Sequence, residues 1–270
     1  MLKGGKMDHK ISDYIIKATN DYRPEIAICT GSGLGSIAKD IEQEYFITYD
    51  EIGGNPKSLV TGHGHGGFAI GKIDNKKVIC LVGRSHLYEG WKESDVYWVM
   101  SELKLIGVKQ IIFTNASGSL DINMPPSSVM MITDHINFSG RNSLIGLRDP
   151  FICGDKLYDK KMIESFRKIA VENNIKLFEG TYLMVLGPNF ETPAEIKMFQ
   201  SFGAQAIGMS TVQEVLACAY SKIRVSAIAI ITNYGTGMTD EEITHEQNLK
   251  NAEAARKNMD LLIKKYIESL

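Results

Sequence analysis

The chain has 270 residues, of which 44% are hydrophobic and 23% charged, a mixture typical of a globular protein with an apolar core. Its formal net charge of −2 gives no basic surface for nucleic acid or an anionic membrane, and no segment approaches the ~20 apolar residues of a membrane-spanning helix. The four cysteines show no CxxC spacing and residues 1–10 lack the apolar core of a signal peptide, so we expect a cytoplasmic protein with reduced thiols.

Six short apolar runs alternate with helical patterns along the chain. Most of them lack strict alternation of polar and apolar residues, as expected of strands that are covered on both faces. The predicted strands are residues 25–29, 78–82, 110–113, 129–132, 181–185 and 225–231. Because no linker or repeat divides the chain, we predict one domain spanning residues 1–270, with an α/β fold and a mixed, largely parallel central sheet flanked by helices.

Capping residues indicate where the helices begin. Ser94 is predicted to cap a helix that ends near Gly107. The spacing of a capping box, in which two side chains bond the backbone reciprocally, occurs at Thr192 with Glu195, Ser210 with Gln213, and Thr244 with Gln247. The last helix is predicted to bury one stripe, made of Ala252, Ala255, Met259, Leu262, Ile263 and Tyr266.

A glycine-rich turn, residues 30–36, directly follows the first predicted strand. Its glycines let backbone N–H groups point at an anion, and a helix start would add positive potential. The spacing is GxGxG, which differs from the GxGxxG of dinucleotide sites, and no Lys-Ser/Thr follows as in a P-loop. Ser32 is therefore either an anion ligand or an ordinary turn residue.

The second predicted strand is followed by residues 83–90, which place Arg, His, Tyr and Glu between two glycines. Arg84 at a strand end can hold an oxyanion with two hydrogen bonds, and His86 can share the same anion. A surface salt-bridge cluster is the alternative, but the enclosing glycines favour a site. Residues 114–119 form either another anion-binding turn, through the backbone N–H of Ala116, or a simple loop.

Motifs in the second half of the chain suit a flat heterocycle and an anion. Phe190 offers an apolar face beside the acceptor Glu191, whose alternative role is to complement a helix dipole. Ser210 is either a plain helix cap or an anion ligand at a helix end. Asn233 follows the most apolar strand, and its amide either matches a base edge by donating and accepting or belongs to an ordinary turn. The six histidines show no HxxxH spacing, so no metal site is expected.

In order and spacing, these motifs resemble the trimeric purine nucleoside phosphorylase family of the nucleoside phosphorylase superfamily. The resemblance runs from about Ile26 to the final helix. Its most specific stretches are residues 83–90, 187–195 and 208–215, and residues 134–137 and 232–233 also fit.

The resemblance implies a nucleoside phosphorylase domain that acts in purine salvage. Inosine, guanosine and their deoxy forms would be split by inorganic phosphate, the co-substrate, into free base and (deoxy)ribose 1-phosphate, without a cofactor. The implied phosphate ligands are Ser32, His63, Arg84, His86, Ala116 and Ser210. The ribose would contact Tyr88, Met209, His245 and, from a neighbouring subunit of a homotrimer, Phe151. The base would contact Phe190, Glu191 and Asn233, and the implied catalytic residues are Asn233, Glu191 and His86.

Two segments depart from the family pattern, and three other functions compete. Residues 62–67 contain both His63 and His65, so either histidine can take the phosphate side, and residues 234–237 have no clear match. A methylthioadenosine phosphorylase would resemble this family but carry aspartate in place of Asn233, and His245 suits a free 5′-hydroxyl better than a methylthio group. A nucleoside hydrolase would usually need a calcium-binding aspartate cluster. A non-enzymatic regulatory domain would bind purines without turnover.

Overall fold

A mixed β-sheet forms the centre of the molecule in the computed structural model. The structure describes residues 10–31, 34–52, 66–84, 86–240 and 245–270, although the side chains of residues 10, 245 and 246 lie outside this description. The strands are β1 Ile26–Cys29, β2 Glu42–Thr48, β3 Gly67–Ile73, β4 Lys76–Val82, β5 Gln110–Ser119, β6 Val129–Asn137, β7 Leu177–Met184, β8 Ala206–Gly208 and β9 Arg224–Tyr234.

Helices pack around the sheet in two groups. They are α1 Lys10–Ala18, α2 Tyr49–Ile52, α3 Glu93–Leu105, α4 Lys160–Glu172, α5 Pro193–Ser201, α6 Val212–Tyr220 and α7 His245–Glu268. Helix α3 packs against α1 and α6, whereas α7 packs against β9 and α4. Among the described helices, none combines the length and the apolar composition that crossing a bilayer requires.

The sheet branches at β5, which pairs with β1, β8 and β9. From β5 the order β8, β7, β6 and β9 returns to β5 and closes a small barrel, while β1, β4, β3 and β2 extend as an open arm. Strands β4, β1, β5 and β9 are mutually parallel, so their carboxyl ends point the same way. The predicted α/β fold with a mixed sheet is confirmed, and ligands of such sheets gather beyond the carboxyl ends of strands.

Barrel closure makes several strands longer than predicted. Residues 114–119 were expected to form a turn or a loop, and an ordinary turn was one of the two interpretations of residues 232–234. Both segments instead lie on strands, β5 and β9, because Ala116 pairs with Ile230 and Gly118 with Asn233. The motif at 134–137 also lies on a strand, β6, paired with β7. The predictions of turns at 114–119 and 232–234 were wrong, since a partner strand satisfies the backbone hydrogen bonds of these polar residues. Strands β2 and β3 were not predicted.

The helix starts show which of the predicted capping residues actually cap a helix. The capping box at the start of α5 is present, with the Thr192 backbone N–H donating to Glu195 Oε2 at 2.7 Å. Helix α3 begins at Glu93, so Ser94 is not its cap. Helix α6 begins at Val212, and the hydroxyl of Ser210 binds a distant arginine, so the predicted Ser210 cap was wrong. Thr244 lies outside the described residues. The predicted stripe of α7 is buried along its whole length.

Candidate active site

A cavity of about 290 Å³ lies where the carboxyl ends of β5 and β9 meet the loops after β4 and β7 and the start of α7. It brings together residues that are up to 168 positions apart in the sequence, from Arg84 to Ala252. The sequence-predicted residues that line it are Arg84, His86, Tyr88, Ala116, Phe190, Glu191, Met209, Ser210 and Asn233. The two halves of the predicted site, for an anion and for a base, therefore share one space.

Arg84 is a buried cation at one end of this cavity. Its Nη1 lies 3.3 Å from Glu214 Oε1, and its Nη2 donates to the Thr114 carbonyl and to Ser210 Oγ, both at 2.9 Å. Burial is the largest single effect and opposes the charged form, but the charge interactions with Glu214 and, to a smaller extent, Cys29, Tyr182 and Tyr88 together outweigh it, so the pKa of Arg84 is raised. Nε is buried and has no hydrogen-bond partner in the described protein. A buried guanidinium that lines a cavity is suited to an anionic ligand.

His86 is held in place by its neighbours in the loop. Its backbone N–H donates to Glu89 Oε2 at 2.8 Å, and its Nδ1 lies 3.2 Å from the same oxygen. The ring stacks on Tyr88, with centroids 4.8 Å apart. Glu89 therefore takes the Nδ1 edge of the ring and fixes its orientation beside Arg84, and no sequence pattern had assigned Glu89 this role.

The base side of the cavity is formed by Glu191, Phe190 and Asn233. Burial raises the pKa of the Glu191 carboxyl above its ordinary value of 4.5. Phe190 is 51% exposed, so its ring stands at the mouth of the cavity. The Asn233 amide is held from both sides, since Oδ1 accepts from Thr232 Oγ1 and Nδ2 donates to the Tyr234 carbonyl, each at 2.8 Å.

The segment after Asn233, which matched no family pattern, is ordered by short backbone contacts. Gly235 N–H donates to the Ser119 carbonyl at 2.8 Å, and Met238 N–H donates to the Gly235 carbonyl at 3.1 Å. Gly237, with a φ of 77°, lies against Pro193 at the start of α5. The loop therefore folds back onto β5 and α5, next to the helix that follows Glu191.

Met209 reaches the cavity through space that Gly187 leaves. A Cβ at Gly187 would lie 2.3 Å from Met209 Sδ, and the φ of Gly187 is 73°. The positive φ favours glycine, and any larger residue would also displace the Met209 side chain. Gly187 thus shapes the predicted ribose side, a role that the sequence did not reveal.

Helix α7 supplies a wall of the cavity that was not predicted. Asn248, Leu249 and Ala252 line it, at helical spacings from His245, the first residue of α7. Asn251 Nδ2 donates to the Thr232 carbonyl at 2.7 Å and so ties α7 to the end of β9. The side chain of His245 lies outside the described residues.

The remaining predicted residues lie elsewhere or outside the description. Ser32, His63 and His65 fall in undescribed segments. Gly31, the described residue next to Ser32, lies near Arg84. Its N–H donates to Thr114 Oγ1 at 3.2 Å, and the carbonyl of the same Thr114 accepts from Arg84. Phe151 is 94% exposed and is not part of the cavity.

The chain is similar to known proteins over nearly its whole length. Residues 25–268 match the family model described as the phosphorylase superfamily. Purine nucleoside phosphorylase 1 of Bacillus subtilis is 35% identical over 257 residues, which cover 93% of this chain and 94% of that protein. Two crystal structures of Schistosoma mansoni purine nucleoside phosphorylase are each 31% identical to this chain, and the match covers 97% of it. The inosine complex has a TM-score of 0.89, with 95% of that chain covered. The adenosine complex has a TM-score of 0.90, with 96% of that chain covered.

Proposed function

The chain belongs to the phosphorylase superfamily, among its purine nucleoside phosphorylases, and from this premise we propose that it cleaves purine nucleosides with inorganic phosphate. The products are the free base and ribose or deoxyribose 1-phosphate, as purine salvage requires. The observation that carries the proposal is the buried Arg84 cation in the same cavity as Glu191 and Asn233. Phosphate is the second substrate, and the reaction needs no cofactor.

In the proposed reaction, phosphate attacks C1′ of the ribose as the bond to N9 of the purine breaks. Such displacements at a sugar carbon pass through states with oxocarbenium character. Phosphate bound by Arg84, His86 and Ser210 lies beneath the sugar and stabilises its developing positive charge. Arg84 and Ser210 already contact each other at 2.9 Å, so little reorganisation accompanies the reaction.

The purine leaves with negative charge, and the base side of the cavity stabilises it. Asn233 hydrogen-bonds N7 and O6 of the base once its amide exchanges the local contacts to Thr232 and Tyr234 for contacts to the ligand. Glu191, as a carboxylate, accepts a hydrogen bond from N1–H of a 6-oxopurine. Phe190 packs on the face of the ring at the cavity mouth.

We propose a preference for inosine and guanosine over adenosine. A 6-oxopurine presents an acceptor at position six and N1–H to Glu191, whereas adenine presents an amino donor and an unprotonated N1. Sites built around such polar contacts can reject a mispaired analogue by ~10⁴-fold. The S. mansoni relative has been crystallised with either inosine or adenosine, so binding alone does not decide this preference, whereas turnover rates do.

The alternatives are separated by the same features. A methylthioadenosine phosphorylase would carry aspartate where this chain has Asn233. A hydrolase would use water instead of phosphate, and a regulatory domain would bind without turnover.

We further propose a cytoplasmic homotrimer in which Phe151 reaches the sugar side of a neighbouring subunit's cavity; its 94% exposure supports this contact.

The deciding experiment is hypoxanthine release from inosine with and without inorganic phosphate. We expect release that depends on phosphate and saturates with it, and faster turnover of inosine than of adenosine. Full-rate release without phosphate would establish a hydrolase, and purine binding without release would establish a regulatory domain. Faster cleavage of adenosine or methylthioadenosine would overturn the specificity.

A further inference from the structure

Thr211, next to Ser210, has a backbone conformation that residues with a side chain rarely adopt. Its φ is 78° and its ψ is −47°, and the Val212 N–H donates to the Ser210 carbonyl at 3.0 Å. These values define a γ-turn of the rare, strained type with positive φ. The side chain is β-branched and fully buried, which adds to the strain. Such strain persists only where the surroundings hold it in place, and it concentrates at functional sites.

A chain of hydrogen bonds runs from β5 through Thr211 to Ser210. Ser117 Oγ donates to Asn115 Oδ1 at 2.7 Å, and Asn115 Nδ2 donates to Thr211 Oγ1 at 2.8 Å. Thr211 Oγ1 lies 3.3 Å from Ser210 Oγ, which also accepts from Arg84 Nη2 at 2.9 Å. Asn115 and Thr211 are both buried, so water does not compete for these contacts.

The donors and acceptors in this chain allow the Ser210 hydroxyl to point into the cavity. A hydroxyl has one hydrogen and two acceptor lone pairs. Thr211 Oγ1 accepts from Asn115 and keeps its own hydrogen, so it can be the donor in its contact with Ser210 Oγ, in which either hydroxyl can donate. When Thr211 is the donor, Ser210 Oγ accepts from both Thr211 and Arg84, and its single hydrogen is left to donate into the cavity that it lines.

We propose that Thr211 and Asn115 are positioning residues that aim the Ser210 hydroxyl at phosphate, an inference that rests on the proposed function. Neither side chain lines the cavity, and neither needs to touch the substrate. The strained turn at Thr211 places its hydroxyl between the Asn115 amide and Ser210. A glycine there would relieve the strain but would remove the donor to Ser210.

The test compares Thr211→Val with Thr211→Ser. Valine keeps the shape and the β-branch but removes the hydroxyl, so Ser210 can turn its hydrogen toward other partners. We expect Thr211→Val to weaken inorganic phosphate about tenfold, in both the phosphate KM and the Kd by titration calorimetry, because one buried hydrogen bond is lost. The KM for inosine at saturating phosphate should not change, and Thr211→Ser should behave as wild type.

A double variant separates positioning from a general packing effect. If Thr211 acts through Ser210, Thr211→Val should weaken phosphate no further in a Ser210→Ala background. Ser143→Ala is the matched control, because it removes another buried hydroxyl, which donates to the Gln213 carbonyl at 2.8 Å, away from the cavity. Unchanged phosphate affinity in Thr211→Val, or a full additional loss in the Ser210→Ala background, would overturn the proposal.

Asn115→Leu provides a second route if Thr211→Val does not fold. It removes the donor to Thr211 without touching the strained turn, and it should weaken phosphate only when Ser210 is intact. Calorimetric titration with inorganic phosphate needs no turnover. If wild type binds phosphate but does not cleave nucleosides, the proposed function fails while the positioning role is still measured.

Discussion

Asn233 lies directly opposite Gly118 in the pairing of β5 with β9, at the point where the register of the two strands shifts. A Cβ on Gly118 would lie 3.2 Å from Asn233 Nδ2 and 3.3 Å from Ile207 Cγ2. The glycine therefore leaves the room in which the amide is oriented. The irregularity in the pairing between Ser117 and Gly118 aims the side chain of Asn233 into the cavity, as bulges beside active sites commonly do.

Gly118→Ala should impair turnover more than stability. The added methyl crowds the Asn233 amide from behind and displaces it by a few tenths of an ångström, so the leaving purine is less well stabilised. We expect kcat for inosine to fall at least tenfold, with the phosphate Kd unchanged. Gly154→Ala is the control, because a Cβ there meets nothing within 4 Å. Equal kinetics of wild type and Gly118→Ala would show that this close approach does not set the position of the amide.

Asn233→Asp should shift the preference of the enzyme toward 6-aminopurines. The carboxylate can only accept hydrogen bonds, so it matches the amino group of adenosine and repels O6 of inosine. We expect the ratio of kcat/KM for inosine to that for adenosine to fall by at least tenfold, mainly through loss of inosine turnover. If both substrates lose activity in equal proportion, Asn233 does not contact position six of the base.

The features that could be predicted from the sequence are those with local causes. The buried stripe of α7 repeats with helical spacing, and the capping box of α5 needs only Thr192 and Glu195. Arg84 and Asn233 follow strongly apolar runs, so the rule that ligands gather beyond strand ends placed them near each other.

The features that could not be predicted depend on contacts between distant segments. Glu214, which pairs with Arg84, lies 130 positions away on a helix, and nothing near it in the sequence indicates a buried ion pair. The positive φ of Thr211 gives no local signal, since glycine would be expected there. The hairpin of β3 and β4, by contrast, did have a local sequence signal that was missed: Asp74 and Asn75 adopt the two positive φ values of a tight hairpin turn.

The raised pKa of Glu191 should limit activity on the acid side. Burial favours the protonated carboxyl in the folded enzyme, whereas the ionised form accepts N1–H of the base. Hypoxanthine binding, measured without phosphate, should therefore weaken as the pH falls through a pKa above 4.5. Glu191→Gln should bind more weakly and lose this pH dependence. A dependence that persists in Glu191→Gln would assign it to another group.

The raised pKa of Glu191 also predicts how folding stability depends on pH: the ionised carboxylate favours base binding but destabilises the folded protein. The folded form holds the Glu191 proton more tightly than the unfolded chain, so this group costs stability as the pH rises from 4.5 through the folded pKa. Above that range, Glu191→Gln should melt at a higher temperature than wild type, and the gain should disappear at low pH, where both side chains are neutral. Thermal unfolding across this range measures it.

Glu214→Gln should make phosphate more important for stability. It leaves Arg84 as a buried cation without its counter-charge, and breaking such pairs costs ~3–5 kcal/mol. Inorganic phosphate then supplies the counter-charge that Glu214 no longer provides, so it should raise the Tm of Glu214→Gln more than that of wild type. Glu164→Gln, which removes an exposed partner of Arg167, should change neither the stability nor the rise in Tm that phosphate causes. Equal phosphate effects would place the anion away from Arg84.

Phe151 allows a test of the proposed homotrimer through shared sites. Its ring is 94% exposed, and if it completes a neighbour's cavity, Phe151→Ala should raise the KM for inosine about tenfold without lowering the Tm. Val171→Ala, which trims another exposed apolar side chain, is the control. Sedimentation of wild type should give the mass of three chains.

Co-expressing Phe151→Ala with Glu191→Gln separates a shared site from an indirect effect. In a cyclic trimer, each subunit lends Phe151 in one direction, so a subunit with intact Glu191 recovers a complete cavity whenever its donor is the Glu191→Gln chain. Random mixing should then restore roughly a quarter of the sites, and the mixture should be more active at low inosine than the average of the separate variants. If Phe151 served only its own chain, every site in a mixed trimer would lack either Phe151 or Glu191, and none would be complete. Activity equal to that average, or a monomeric mass, would therefore exclude Phe151 from a neighbouring subunit's site.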